Sequence, residues 1–103
     1  MTEMHNPPHP GLTLRDDVLP TLKLSVEEAA AQLHVEVSRL YDILDGHAPI
    51  DADFALRLEA WLSIDRGGRA GLWLERQLRY DLWQARKNPP QGIETVELPW
   101  MKD

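Results

Sequence analysis

An all-α fold of five helices is what these 103 residues predict, and three observations carry the prediction. Between Gly11 and Lys87 the apolar residues return every three or four positions, the period of a helix with one buried face. Of the eight prolines, six lie outside that stretch, in HNPPHPG at the start and NPPQGIETVELPW at the end. Within it, Ser25 and Asp51 stand where a helix start wants a hydroxyl or a carboxylate, and Gly46 where a helix end wants a left-handed residue. A hydrophobic share of 43% with 27% charged residues is ordinary for a globular domain, and a chain of this length holds one compact core.

Residues 1–11 are expected to be an extended lead-in, because Pro7, Pro8 and Pro10 remove donors and push the preceding residues out of the helical region. A helical domain is expected over 12–87. Its first helix presents Leu12, Leu14, Val18, Leu19 and Leu22 on one face, and Pro20 should end or kink it. Ser25-Val26-Glu27-Glu28 reads as a capping box opening a short second helix over 25–33, with Ala29, Ala30 and Leu33 inward. The third spans 35–45 with Leu40, Ile43 and Leu44 inward, closed by Gly46. The fourth runs from an Asp51 cap to Leu62, burying Phe54, Ala55, Leu58, Trp61 and Leu62. After the loop Arg66-Gly67-Gly68-Arg69, the fifth covers about 70–87. It carries Leu74, Leu78, Leu82 and Ala85 on one stripe and Trp73, Tyr80 and Trp83 on another. Residues 88–103 form a proline-rich break and a tail whose weak alternation suits a short C-terminal strand or an extended arm.

Charge is distributed unevenly. The net charge is −6; residues 1–35 contribute −3, 36–65 contribute −5, 66–87 contribute +4 and 88–103 contribute −2. Nucleic-acid binders usually carry a basic footprint, so this balance weighs against avid DNA binding by the chain alone. The absence of cysteine excludes disulfides, thiolate metal sites and cysteine nucleophiles. No apolar run is long enough for a membrane span and the N-terminus lacks a signal-peptide core, so a cytoplasmic location is expected.

The second and third helices, joined by a short turn, have the helix-turn-helix layout, in which the second member enters the major groove while the first braces across the phosphates. The stretches HNPPHPG, SVEEAAAQLHV, LYDILDG, ALRLEAWL and LWLERQLRYDLWQAR resemble the HigA antitoxin family, a branch of the λ-repressor-like (XRE) helix-turn-helix proteins, over about residues 5–87. The resemblance implies a homodimer that binds and silences a RelE/HigB-like mRNA-cleaving toxin and represses its own operon through operator DNA. It also implies a bracing-helix phosphate contact from Ser25 and Gln32. Val37, Ser38, Arg39 and Tyr41, at the outer start of the recognition helix, are the other DNA-contact candidates.

The DNA-reading end departs from the family's pattern. His34 stands where a turn glycine is usual, implying either a left-handed histidine or a shifted turn. Glu36 and Val37 replace a Ser-Arg start, Asp42 replaces an arginine, and Asp45-Gly46-His47 replaces Asn-Gly-Arg. Over 36–45, Arg39 is the single cation against Glu36, Asp42 and Asp45. Carboxylates facing phosphate repel it, so DNA affinity is expected to be weaker than in relatives with a basic recognition helix, or to depend on a basic toxin. A carboxylate can accept from cytosine and Val37 can touch a thymine methyl, so base reading stays open. Glu36 is better explained as a carboxylate favoured by the helix dipole than as a cytosine contact, and Val37 is equally explained as a core residue.

Enzymatic activity is not expected. Ser25 is a cap without a partner base, adjacent carboxylates on a helix diverge, and the glycine loop at 66–71 lacks a phosphate-binding ending. No cofactor is implied. His5 and His9 are four apart, but the prolines between them forbid the helix that would make them a zinc pair, so no metal site is read there. Trp61, Trp73, Tyr80 and Trp83 are core or interface aromatics. Trp73, Tyr80 and Trp83 exceed what one small core absorbs, so with the fifth helix and tail they are assigned to a dimer or partner interface. Trp100, with nothing evident to bury it, is a candidate partner anchor. The alternatives to an antitoxin are a stand-alone XRE-type regulator and a toxin-binding module with weakened DNA binding.

Overall fold

A computed structural model describes residues 6–101. The architecture is all-α: among the described residues there are five main helices and no strand. Helix α1 occupies residues 10–22, α2 Val26–Leu33, α3 Val37–Leu44, α4 Ala52–Leu62 and α5 Ala70–Arg86. No helix among them is long and apolar enough to cross a membrane.

Helix α1 begins two residues earlier than the extended lead-in allowed. His9 is its N-cap, accepting from Gly11 N–H at 2.9 Å through Nδ1, and Pro10 takes the first helical position, where its missing N–H costs nothing. Pro20 does not end the helix. Leu14–Val18 form a π turn that closes with Leu19 N–H on the Leu14 carbonyl, and the widened turn makes room for the proline ring that follows. The helix stops at Lys23, which is left-handed.

Two close approaches fix α1 on the rest. A Cβ on Gly11 would sit 1.8 Å from the Ile43 carbonyl oxygen, so glycine is required where α1 crosses the end of α3. The buried His9 ring packs edge-on to Tyr80 of α5, with centroids 5.0 Å apart. The HNPPHPG segment therefore ties α1 to both α3 and α5; its His5 lies outside the described residues.

The core lies where α1 to α4 converge, around Leu14, Leu33, Leu40, Ile43, Phe54 and Leu58. Trp73 and Gln77 extend it along α5. Gln77, buried, accepts from Ile50 N–H at 2.8 Å and donates to Asp81, pinning α5 to the loop after α3. Beyond Arg86 the chain leaves the body: 93–98 has no regular structure, and a 3-10 turn spans Pro99–Met101. The radius of gyration is 18.1 Å, against about 13 Å for a compact chain of this length, and the longest dimension is 64 Å.

Candidate nucleic-acid interface

Two short helices and the turn between them build the candidate site. Helix α2 is capped as its sequence predicts: Ser25 Oγ accepts from Glu28 N–H at 3.0 Å and Glu28 Oε1 accepts from Ser25 N–H at 2.8 Å. That second bond holds the Glu28 carboxyl below its ordinary pKa. The helix ends at His34 with φ 57° and ψ 49°, so of the two readings of the turn the left-handed histidine is the observed one. Arg57 of α4 supports it, donating through Nη1 to the carbonyls of both Leu33 and His34 at 3.0 Å. Two carbonyls left over at the end of a helix thus meet a cation where the helix dipole favours one.

Helix α3 starts at Glu36, whose side chain makes no capping bond, and buries Leu40, Ile43 and Leu44. Its opposite face holds Val37, Ser38, Tyr41 and Asp42, all exposed. Val37 is 38% accessible, which sets it on the surface rather than in the core. The Tyr41 hydroxyl donates to Glu27 Oε2 at 3.2 Å, joining the two helices across the outer face. Gln32 accepts from Trp61 Nε1–H at 2.8 Å, which directs its amide nitrogen away from the indole. Ser25 Oγ serves the helix as an acceptor, and its hydroxyl also helps to hold the Glu28 carboxyl below its ordinary pKa.

Arg39 is half-buried and held against its own chain. Its guanidinium contacts Asp51 and Asp53 at 3.1 Å each and lies 5.5 Å above the Phe54 ring. Asp53 also accepts from Arg57 at 2.9 Å; Arg57 first and Arg39 second hold its carboxyl below the ordinary range. Asp51 has a further duty as the cap of α4, accepting from Phe54 N–H. The single cation of α3 is thereby matched by two carboxylates, while Glu36, Asp42 and Asp45 stand exposed.

The structure brings Ser25, Gln32, Val37, Ser38, Arg39 and Tyr41 to the helix pair 26–44, but places Arg39 at its edge with α4. It separates the four aromatic residues assigned to a partner interface. Trp73 is a correction: it is buried at 3% accessibility with Nε1–H on the Gly67 carbonyl, because the α4–α5 junction folds over it. Tyr80 and Trp83 are half-buried against their own chain, Tyr80 on His9 and Trp83 beneath Lys87 Nζ at 3.8 Å. Trp100 is 78% exposed. The large apolar residues that α5 leaves bare are instead Leu72, Leu78 and Leu82, the last two already visible as a stripe in the sequence. Arg57 and Asp53 pair with each other within α4, but Arg57's bonds to the Leu33 and His34 carbonyls and Asp53's to Arg39 cross to other helices, which is why their part in the site escaped the sequence reading.

No cluster of three potential metal ligands occurs among the described residues. His9 Nδ1 is occupied by Gly11 N–H.

No family model matches the chain. It is 40% identical over 88 residues, 85% of its length and 77% of the relative's, to virulence-associated protein I of Dichelobacter nodosus. It is 34% identical, with a TM-score of 0.71 over 81% of this chain and 86% of the other, to an addiction module antidote protein of a HigA family from Coxiella burnetii. A Pseudomonas aeruginosa antitoxin HigA, solved with the higBA promoter, superimposes with a TM-score of 0.70 at 33% identity, over 79% of this chain and 84% of that one.

Proposed function

This chain belongs to the HigA family of addiction-module antitoxins, and from that membership we propose that it neutralises a RelE/HigB-like ribonuclease toxin and represses its own operon as a homodimer on operator DNA. The observation that carries the reading is the helix pair at 26–44, whose outer face offers Val37, Ser38 and Tyr41 in the manner of a recognition surface. On this reading Val37 meets a thymine methyl, Ser38 and Ser25 donate to phosphates, and the Gln32 amide, oriented by Trp61, adds a phosphate contact from the bracing helix.

Capture of the toxin follows from charge. A protein that holds mRNA needs a cationic surface, and a net charge of −6, with −8 concentrated in residues 1–65, is its electrostatic complement. Co-purification with the product of the neighbouring reading frame tests this half; failure to bind it sinks the toxin assignment.

The locked Arg39 favours a second emphasis, toxin capture with weak operator binding by the antitoxin alone. Titrating the isolated protein onto its upstream DNA in moderate salt decides between the two: tight binding restores autonomous repression, and weak binding that tightens with toxin supports the second.

A further inference from the structure

Helix α1 and the α4–α5 junction enclose an open groove of about 660 Å³ whose floor includes Val18, Leu22 and Trp61. Arg66 and Arg76 line it from the junction side, and Asp17 of α1 is the one carboxylate in its lining. Small-molecule sites are typically concave, about 300–1,000 Å³ in volume, and apolar with a few polar groups that orient the ligand. The groove meets each of those conditions.

Its two arginines differ from others in the chain. Arg15, Arg39, Arg57 and Arg79 each pair with a carboxylate within 3.1 Å. Arg66 and Arg76 have no carboxylate partner among the described residues, although the sequence holds 17 Asp and Glu. Arg76 stacks on Trp73 instead, 5.2 Å from the ring centroid, which steadies the guanidinium and leaves its N–H groups to a ligand. Both belong to residues 66–87, whose charge of +4 draws an anion to this side of a chain that is −6 overall.

We infer that the groove is a binding site for a small amphipathic carboxylate of medium chain length. Its apolar chain lies along Val18, Leu22 and Trp61, and its carboxylate faces the Arg66 and Arg76 guanidinium groups. A bare anion would forgo the apolar floor, a neutral hydrocarbon would forgo the guanidinium groups, and a cation would be repelled by them. Leu24 and Leu62 add aliphatic surface beside Trp61, which suits a flexible chain. Gln32, whose amide Trp61 orients, lines the same groove, so an occupant also touches helix α2. The inference goes beyond the antitoxin reading and does not depend on it.

Decanoate is the probe, titrated at neutral pH into the full-length chain labelled with nitrogen-15, whose four tryptophans report by their indole N–H resonances. The Trp61 resonance, identified by its loss in Trp61→Phe, is expected to shift saturably with a dissociation constant on the order of 0.1 mM, while that of Trp100 stays. Replacing both exposed arginines, Arg66→Gln with Arg76→Gln, should weaken binding about tenfold, and decanol should bind the unaltered chain about tenfold more weakly. Leu22→Glu, at a floor position 41% accessible, should weaken decanoate by a similar factor of about ten. Absence of saturation at about ten times the expected constant overturns the site. So does unchanged affinity in the arginine variant, or equal binding of decyltrimethylammonium, which would show unselective apolar adhesion. A shift at Trp100 would place an arm of this or a second copy in the groove, and overturns the proposal as well.

Discussion

His34 holds a backbone conformation that most residues avoid, and its exposed ring makes no hydrogen bond that rewards it. What keeps it there is the Arg57 guanidinium on its carbonyl, a contact that glycine would retain. His34→Gly is therefore expected to raise stability by about 1 kcal/mol, read as a higher urea midpoint at unchanged slope; an unchanged or lower midpoint contradicts the strain. Gly11 is the opposite case. Gly11→Ala drives a methyl into the Ile43 carbonyl and should cost about 3 kcal/mol or more, since backbone on both sides must move. His9 makes the same corner sensitive to acid. Burial first of all lowers its pKa below 6.5, with the Ala48 carbonyl and Asp81 opposing, so the folded state prefers the neutral ring that accepts from Gly11. A lowered histidine pKa contributes stability that is complete above 6.5 and is lost as the pH falls through the folded value. Thermal unfolding followed from pH 8 down to 5 should show that decline, and His9→Asn, which can cap without titrating there, should flatten it. An equal decline in the variant removes His9 as the source.

Among the elements, the helix pair and the fourth helix are coupled through carboxylates that each serve two partners. Asp51 caps α4 and pairs with Arg39, and asparagine performs the first task nearly as well while abandoning the second. Asp51→Asn should leave stability within about 0.5 kcal/mol and tighten operator binding by loosening Arg39; tightening absent in an anisotropy titration would mean that Arg39 faces no phosphate. Both ends of that coupling lie 12 and 14 residues apart in the chain, beyond any helical spacing, which is why the sequence shows a lone cation on the recognition helix but not its confinement. Local signals were legible where their physics is local: the Ser25–Glu28 box, the Asp51 cap, left-handed Gly46 and five helical periods all appear in the fold. Pro20 does not end the helix, as one of its two readings had it, and the π turn that accommodates it has no sequence mark. Trp73 was misread because helical spacing says which residues share a face, not how far a neighbouring loop folds over it.

At the scale of the whole molecule, charge is segregated: the first 65 residues carry −8 and the next 22 carry +4. The recognition face belongs to the negative part, and its one cation is already matched. DNA binding normally draws on counterion release, with log affinity falling by about 0.9 per phosphate neutralised for each decade of salt. The proposed homodimer would offer one compromised arginine per half-site and neutralise few phosphates, so its salt slope should be shallow, roughly 0 to −3. On the proposed reading, a cationic toxin bound to the acidic surface would reverse the local potential beside the operator and add phosphate contacts of its own. The slope for the toxin–antitoxin complex should then be steeper by about 2 or more, with tighter binding at low salt. Titrations of both species on the same operator fragment across a tenfold range of salt measure the difference directly. Equal slopes would show that the antitoxin's own surface supplies the phosphate contacts, and the burden of recognition would move from the toxin's cations to the helix pair at 26–44.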